Sequence, residues 1–240
     1  MEGRSIGLVP TMGALHRGHA SLVSRCRAEN DGVVVTLFVN PTQFNDPADL
    51  NRYPRTLKSD LSFLESLGTD EVFVPEASAL YPNGYAFRVV SDSLSAVMEG
   101  RHRPGFFDGV MTVVLKLLNL VRADRSYFGE KDFQQWKVLH DMAADLFIST
   151  EIIRCPTIRA ASGLAESSRN ALLSPQGHER AGAIYRALTT AVSAVEASAA
   201  LEAEGFRVDY VEEHWGRRFA AAFLEGIRLI DNVPLEDSKS

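Results

Sequence analysis

Two histidines three residues apart, His16 and His19, stand in the stretch VPTMGALHRGHASLV, Val9 to Val23, where an apolar strand turns into a helix. Val9, Leu22 and Val23 are what a buried strand and helix face require. The histidines are not. Imidazoles donate hydrogen bonds, and the exposed N–H groups and dipole of a helix N-terminus favour an anion. His16 and His19 therefore suit a phosphate that gains charge in a transition state; two solvated loop histidines are the competing reading. Lys131, between Glu130 and Asp132, is either a surface lysine or a phosphate partner, with Asp132 then set to take a ribose hydroxyl. Ser167, Ser168 and Arg169 form an ordinary turn or a phosphate clamp of two hydroxyls and a guanidinium. Gln43 and Gln135 are solvated amides or ligand-holding ones.

Apolar runs and helix-like stretches alternate in a way that would bring most of these residues together. Strands are expected at Ile6–Val9, Val33–Val39, Glu71–Pro75 and Arg125–Gly129. Helical spacing follows at about 19–28, 57–67, 109–121 and 132–146. This βαβα order implies a parallel sheet with helices on both faces. Ligands of such sheets bind outside the carboxyl ends of the strands. The histidine loop, the NPTQF loop (Asn40–Phe44) and GEKD (Gly129–Asp132) each follow a strand directly, so three polar loops converge on one edge.

Past EIIRCPTIR the rhythm changes. After the polar loop SGLAESSRN, a long helix is expected from Ser174 as N-cap and Pro175 in its first turn. Ala181, Ile184, Leu188, Ala191, Val192 and Val195 would be its buried stripe. FRVDYVEE and IRLIDNVPL read as strands. Residues 158–240 thus form a small α+β domain beside an α/β domain at 1–157.

The 240 residues are 45% hydrophobic and 23% charged, ordinary values for a folded globular chain. A formal net charge of −6 argues against broad binding to nucleic acid or to an anionic membrane. Cys26 and Cys155 have no metal-ligand spacing and make a poor disulfide framework. With no signal-peptide pattern and no run able to span a bilayer, a soluble cytoplasmic protein is expected.

The residues H-R-G-H resemble the H-x-G-H signature of the nucleotidyltransferase and class I aminoacyl-tRNA synthetase superfamily. Taken in order, VPTMGALHRGH, FVNPTQF, RYPRTL, YFGEKD with Gln134-Gln135, PTIR, GLAESSRN and RLIDN resemble the pantothenate synthetase (pantoate–β-alanine ligase) family over nearly the whole chain. The resemblance implies a Rossmann-like domain for ATP and pantoate, a C-terminal lid domain and a homodimer. It implies that Mg-ATP and a carboxylic acid give an acyl adenylate, which an amine then converts to an amide. Small-molecule acid and amine substrates are the implied partners. His16, His19 and Lys131 would stabilise the α-phosphate region; Met12 and Gly18 would border the nucleotide, Gly129 and Asp132 the ribose. Ser167, Ser168 and Arg169 would hold the β- and γ-phosphates. Gln43 and Gln135 would grip pantoate, with Asn40 nearby. No ligands for the Mg2+ follow from the motifs.

Departures from the family pattern fall at Phe106, where RPGFF replaces RPGHF, at Glu166 in place of Met, and at Ser162 in place of Asp. The chain starts close to its first strand, and the segment between DYVE and RLIDN is short. These changes suggest an altered acceptor amine. A sister ligase using another acid or amine, and a noncatalytic nucleotide-binding protein, are the competing readings.

Overall fold

The apolar runs of the first half become five strands: β1 (Ile6–Thr11), β2 (Gly32–Leu37), β3 (Glu71–Phe73), β4 (Arg125–Gly129) and β5 (Glu151–Cys155). They pair in parallel in the order β3-β2-β1-β4-β5. Helices cover both faces of such a sheet, so its central strands run apolar without alternation. In β2 only Val34 of GVVVTL is less than fully buried. This computed structural model describes residues 3–235 and divides into two units, Met1–Cys155 and Pro156–Ser240.

Among the described residues, seven α-helices belong to the first unit: α1 (Arg17–Glu29), α2 (Pro47–Arg52), α3 (Leu57–Ser66), α4 (Ala77–Leu80), α5 (Met98–His102), α6 (Phe106–Val121) and α7 (Phe133–Asp145). The longest, α6, begins at Phe106, three residues before the expected start at Gly109, because Gly105 takes the left-handed conformation (φ 80°) that caps it. Phe107, Val110, Met111, Val114, Leu117 and Leu118 of α6 are buried against Leu8, Val138 and Leu139. Gly109 lies where a Cβ would come within 2.5 Å of the Thr42 carbonyl oxygen. That close approach seats the NPTQ turn on the helix. On the other side of the sheet Leu22, Val23 and Cys26 of α1 pack with Val33, Val35 and Leu64.

The second unit corrects two expectations. Its long helix is three: α8 (Pro175–Ala181), α9 (Ala183–Thr190) and α10 (Ala194–Ala203). Val192 and Val195, assigned to the buried stripe, are 88% and 81% exposed. One break lies at Gly182, between α8 and α9, and the other at Ala191–Ser193. There Ser193 Oγ accepts from Glu196 N–H as the N-cap of a new helix, and the Glu196 carboxylate accepts from Val192 N–H, one residue before the cap. Arg218 closes the old one by donating to the Leu188 and Ala191 carbonyls. The sheet also holds a third strand, with β6 (Arg207–His214) and β8 (Ile227–Pro234) flanking β7 (Arg217–Leu224) in an antiparallel meander. Its alanines, Ala220 to Ala222, are among the most buried residues of the unit.

Candidate active site

The strand order locates the site before any side chain does. From β1 the chain winds outward through β2 to β3, then returns to build β4 and β5 on the other side. The reversal falls between β1 and β4, and the crevice beyond their carboxyl ends is where ligands bind in doubly wound sheets. Thr11 ends β1 and Gly129 ends β4. The histidine turn and the GEKD turn therefore open on that crevice.

Residues 11–19 are tied by short-range hydrogen bonds. Thr11 Oγ1 donates to the Thr36 carbonyl at 2.7 Å and accepts from Gly13 N–H at 3.2 Å. Gly13 and Ala14 then take left-handed φ values of 78° and 51°, which turn the chain into α1. His16 is the N-cap: its Nδ1 accepts from Gly18 N–H at 3.1 Å, while His19 Nδ1 accepts from His16 N–H at 3.3 Å. The two rings lie 4.1 Å apart between centroids. An Nδ1 that accepts carries no proton, so the hydrogen-bond network assigns the ring proton of each neutral imidazole to Nε2. Both rings are donors at that atom. Burial, then the neighbouring His16 and Lys131, push the His19 pKa down to about 3, so His19 is neutral at physiological pH. The effect of Lys131 on His19 puts the segments that follow β1 and β4 in one electrostatic environment. Lys131 Nζ lies 3.2 Å from Asp132 Oδ1, and a Cβ built on Gly129 would meet nothing within 4 Å.

The NPTQ turn separates its two amides by role. Asn40 is 1% exposed and has protein partners on both ends of its side chain. Its Oδ1 accepts from Thr42 N–H, Thr42 Oγ1 and Tyr81 OH; its Nδ2 donates to Gln43 Oε1 at 2.9 Å and to the Gly109 carbonyl. Asn40 therefore acts through Gln43. Because Gln43 Oε1 faces Asn40, the Gln43 Nε2 donors are turned the other way. Gln43 offers a ligand hydrogen-bond donors, not an acceptor.

Gln134 and Gln135 divide similarly. Gln134 is buried, accepts from Glu99 N–H and donates to the Leu94 and Val97 carbonyls. Gln135 is half-buried in the first turn of α7. The α5 segment binds both regions, since Arg103 at its end donates to the Gln43 carbonyl at 3.3 Å and pairs with Glu99. The Arg103 guanidinium also lies 3.7 Å over the ring of Phe106. Phe106 is thus a platform for a cation on the wall of the NPTQ turn. No motif marks Arg103 or Tyr81 in the sequence, because long-range partners of an arginine or tyrosine carry no local signature.

In the second unit Ser167 caps the short turn Ser168–Leu172, its Oγ accepting from Arg169 N–H at 3.3 Å. Arg169 is half-buried and reaches the Arg228 carbonyl at 3.5 Å. Glu166 is half-buried and its N–H donates to the Ile158 carbonyl. The Ser162 carbonyl lies 2.3 Å from where a Gly182 Cβ would be, so Ser162 belongs to the packing of α8 and α9. Asp231 and Arg159 pair through two hydrogen bonds, placing the PTIR and RLIDN motifs side by side.

Residues 1–234 match the family model described as Pantoate-beta-alanine ligase. A pantothenate synthetase from Bdellovibrio bacteriovorus is 49% identical over 234 residues, covering 98% of this chain and 93% of the relative. That alignment runs with next to no insertion, so the short segment before β8 is shared with this relative. One from Cereibacter sphaeroides is 50% identical, but needs 258 positions to cover 97% of this chain; it carries the extra length. The solved pantoate–β-alanine ligase from Francisella tularensis, complexed with β,γ-ATP and β-alanine, is 41% identical with a TM-score of 0.94, covering 100% of this chain and 93% of its own. Sequence, length and fold agree, and the chain belongs to the pantoate–β-alanine ligase family.

Proposed function

We propose that this chain joins pantoate to β-alanine, converting ATP to AMP and pyrophosphate through an acyl adenylate. The observation that carries the mechanism is the crossed cap at the start of α1, in which each Nδ1 accepts a backbone N–H and Nε2 is left as the ring donor of His16 and of His19. A pantoate carboxylate oxygen attacks the α-phosphorus; the bond to the bridging oxygen breaks and pyrophosphate leaves with the electron pair. The neutral amine of β-alanine then attacks the acyl carbon, the acyl–oxygen bond breaks, AMP leaves, and the amine proton passes to solvent. Donors fixed before the reaction stabilise charge growing on phosphate oxygens without reorganising. His16, His19 and Lys131 take that role; His19, with its depressed pKa, is a donor and not a proton source.

Met12 and Gly18 border the nucleotide, and Gly129 and Asp132 the ribose, which the open space at Gly129 supports. Gln43, through Nε2, and Gln135 hold the pantoate hydroxyl and carboxylate, and Asn40 sets the Gln43 amide. Ser167, Ser168 and Arg169 are assigned to the β- and γ-phosphates on the family resemblance. No group of three or more His, Cys, Asp or Glu converges among the described residues, so Mg2+ would be held chiefly by the triphosphate and water. It would supply charge neutralisation there. We assign ATP and acid to residues 1–157 and the lid role to 158–240, in a homodimer of the cytoplasm. Two free cysteines, both buried, accord with that compartment, and no described helix is long and apolar enough to cross a membrane.

The test is a product assay with purified enzyme, Mg-ATP, pantoate and a panel of amines. Pantothenate, AMP and pyrophosphate in equal amounts, with β-alanine preferred, are expected. Coupling of another amine in preference to β-alanine would assign the chain a different product.

A further inference from the structure

We infer that Asp60 is a positioning residue for adenylation, holding the turn that carries the two histidines. Asp60 lies in the first turn of α3, is 4% exposed, and belongs to none of the loops at the carboxyl ends of the strands. Its Oδ2 accepts from Ala14 N–H at 3.0 Å and its Oδ1 from Leu15 N–H at 2.9 Å. Thr56 Oγ1 donates to Oδ2 at 3.0 Å. No cation pairs with this buried carboxylate among the described residues. A buried carboxylate needs its hydrogen bonds, and two of the three come from the backbone that leads into His16.

The turn is shaped to receive the carboxylate. Gly13 has φ 78°, and a Cβ there would come within 2.9 Å of Asp60 Oδ2. Ala14 is also left-handed, at φ 51°, a conformation that is unfavourable for a residue with a Cβ. The two Asp60 bonds fall on Ala14 and on the residue after it, so they offset that cost where it arises. Thr56 supports the arrangement: as N-cap of α3 its side chain makes no capping bond and points its hydroxyl at Asp60 instead. Asp60 thus fixes residues 13–15, these fix the His16 backbone, and the His16 N–H fixes the His19 ring.

The inference rests on the reading of His16 and His19 as phosphate donors, but its primary test involves no nucleotide. Imidazole 15N spectra of the ligand-free enzyme report which ring nitrogen is protonated. The wild type should show His16 and His19 as Nε2–H tautomers, and Asp60→Ala should lose that uniform state while α3 and the sheet remain folded. Adenylation, read as pantoate-dependent ATP–pyrophosphate exchange, should fall on the order of 10²-fold in kcat, as misplacement by about 1 Å can produce, with the KM for pantoate little changed. Asp60→Asn, which turns an amide N–H toward a backbone N–H, should behave alike. If Asp60→Ala does not fold, Thr56→Val, which removes one of three donors, should show a smaller change in both readouts. A wild-type histidine spectrum in a folded Asp60 variant would overturn the inference, whatever its stability. A changed spectrum with unchanged exchange would overturn it as well, leaving the carboxylate a clamp on the turn with no part in adenylation and removing the histidines from the chemistry.

Discussion

The turn at His16–His19 and the turn at Ser167–Arg169 were both expected to meet phosphate, yet they are built differently. In the first, each histidine ring accepts a backbone N–H, and a carboxylate from α3 holds the preceding residues. In the second, Ser167 Oγ accepts from Arg169 N–H, Asn170 donates its N–H to the Ser167 carbonyl and its Nδ2 to the Ala165 carbonyl, and the Arg169 guanidinium reaches the Arg228 carbonyl. The first presents ring donors set by backbone N–H groups; the second presents a guanidinium at the end of a long side chain. Fixed donors aimed at developing charge lower a barrier, whereas a guanidinium that grips phosphate through several N–H groups contributes mainly to binding. The difference teaches that the two turns should register in different kinetic constants.

The largest effect is expected from His19→Ala: a loss of roughly 10²–10³ in the adenylation rate with a modest change in ATP affinity. Single-turnover kinetics would show it, and a change confined to KM would erase the contrast between the turns. Arg169→Ala should act on the other constant, weakening ATP binding by about 1.5–3 kcal/mol, the range for hydrogen bonds to a charged group, with kcat largely kept. Gln43→Ala should weaken pantoate binding by about 1–3 kcal/mol and leave ATP binding alone. Asn40→Ala should reproduce part of that pantoate defect from one residue further away. Equal losses for ATP and pantoate would mean general damage to the site.

The smallest effect concerns pH. Unfolded, His19 binds a proton below about 6.5; folded, it stays neutral down to about 3. Within that window the unfolded chain binds the extra proton, so stability falls as pH drops from 6.5 toward 3. His19→Ala removes this contribution, and its melting temperature should decline less steeply with acidification than that of the wild type. Parallel melting curves across the window would place the His19 pKa near its ordinary value and weaken the case for a locked, neutral ring.

The contrast between regions also explains what the sequence could reveal. The parallel sheet was legible because buried strands such as GVVVTL and helix spacings such as Leu57–Ser66 carry their periods in a few residues. The residues of the histidine turn were legible as types, since two imidazoles beside a glycine at a strand end have no packing reason. Their tautomer was not, because it depends on which backbone N–H each Nδ1 meets. The partners of Asn40 were hidden for the same reason: Thr42, Tyr81, Gln43 and Gly109 are spread over 70 residues of chain. In the second unit β7 was hidden by its composition, for three alanines have little strand preference and Arg217–Arg218 resemble a solvated turn. Their guanidiniums are buried instead, Arg217 against Asn232 and Arg218 on the end of α9. The second break in the long helix did have a signal, Ser193-x-x-Glu196, which outweighed the apolar period running through Val192 and Val195.

The central claim is an acyl adenylate, and the path of a carboxylate oxygen tests it most directly. Pantoate labelled with 18O in its carboxylate is to be turned over with ATP and β-alanine, and the products analysed by mass. If the carboxylate attacks the α-phosphorus and AMP leaves the acyl carbon, one labelled oxygen appears in each AMP and none in pyrophosphate. Label in pyrophosphate or free phosphate, or AMP without label, would contradict the account.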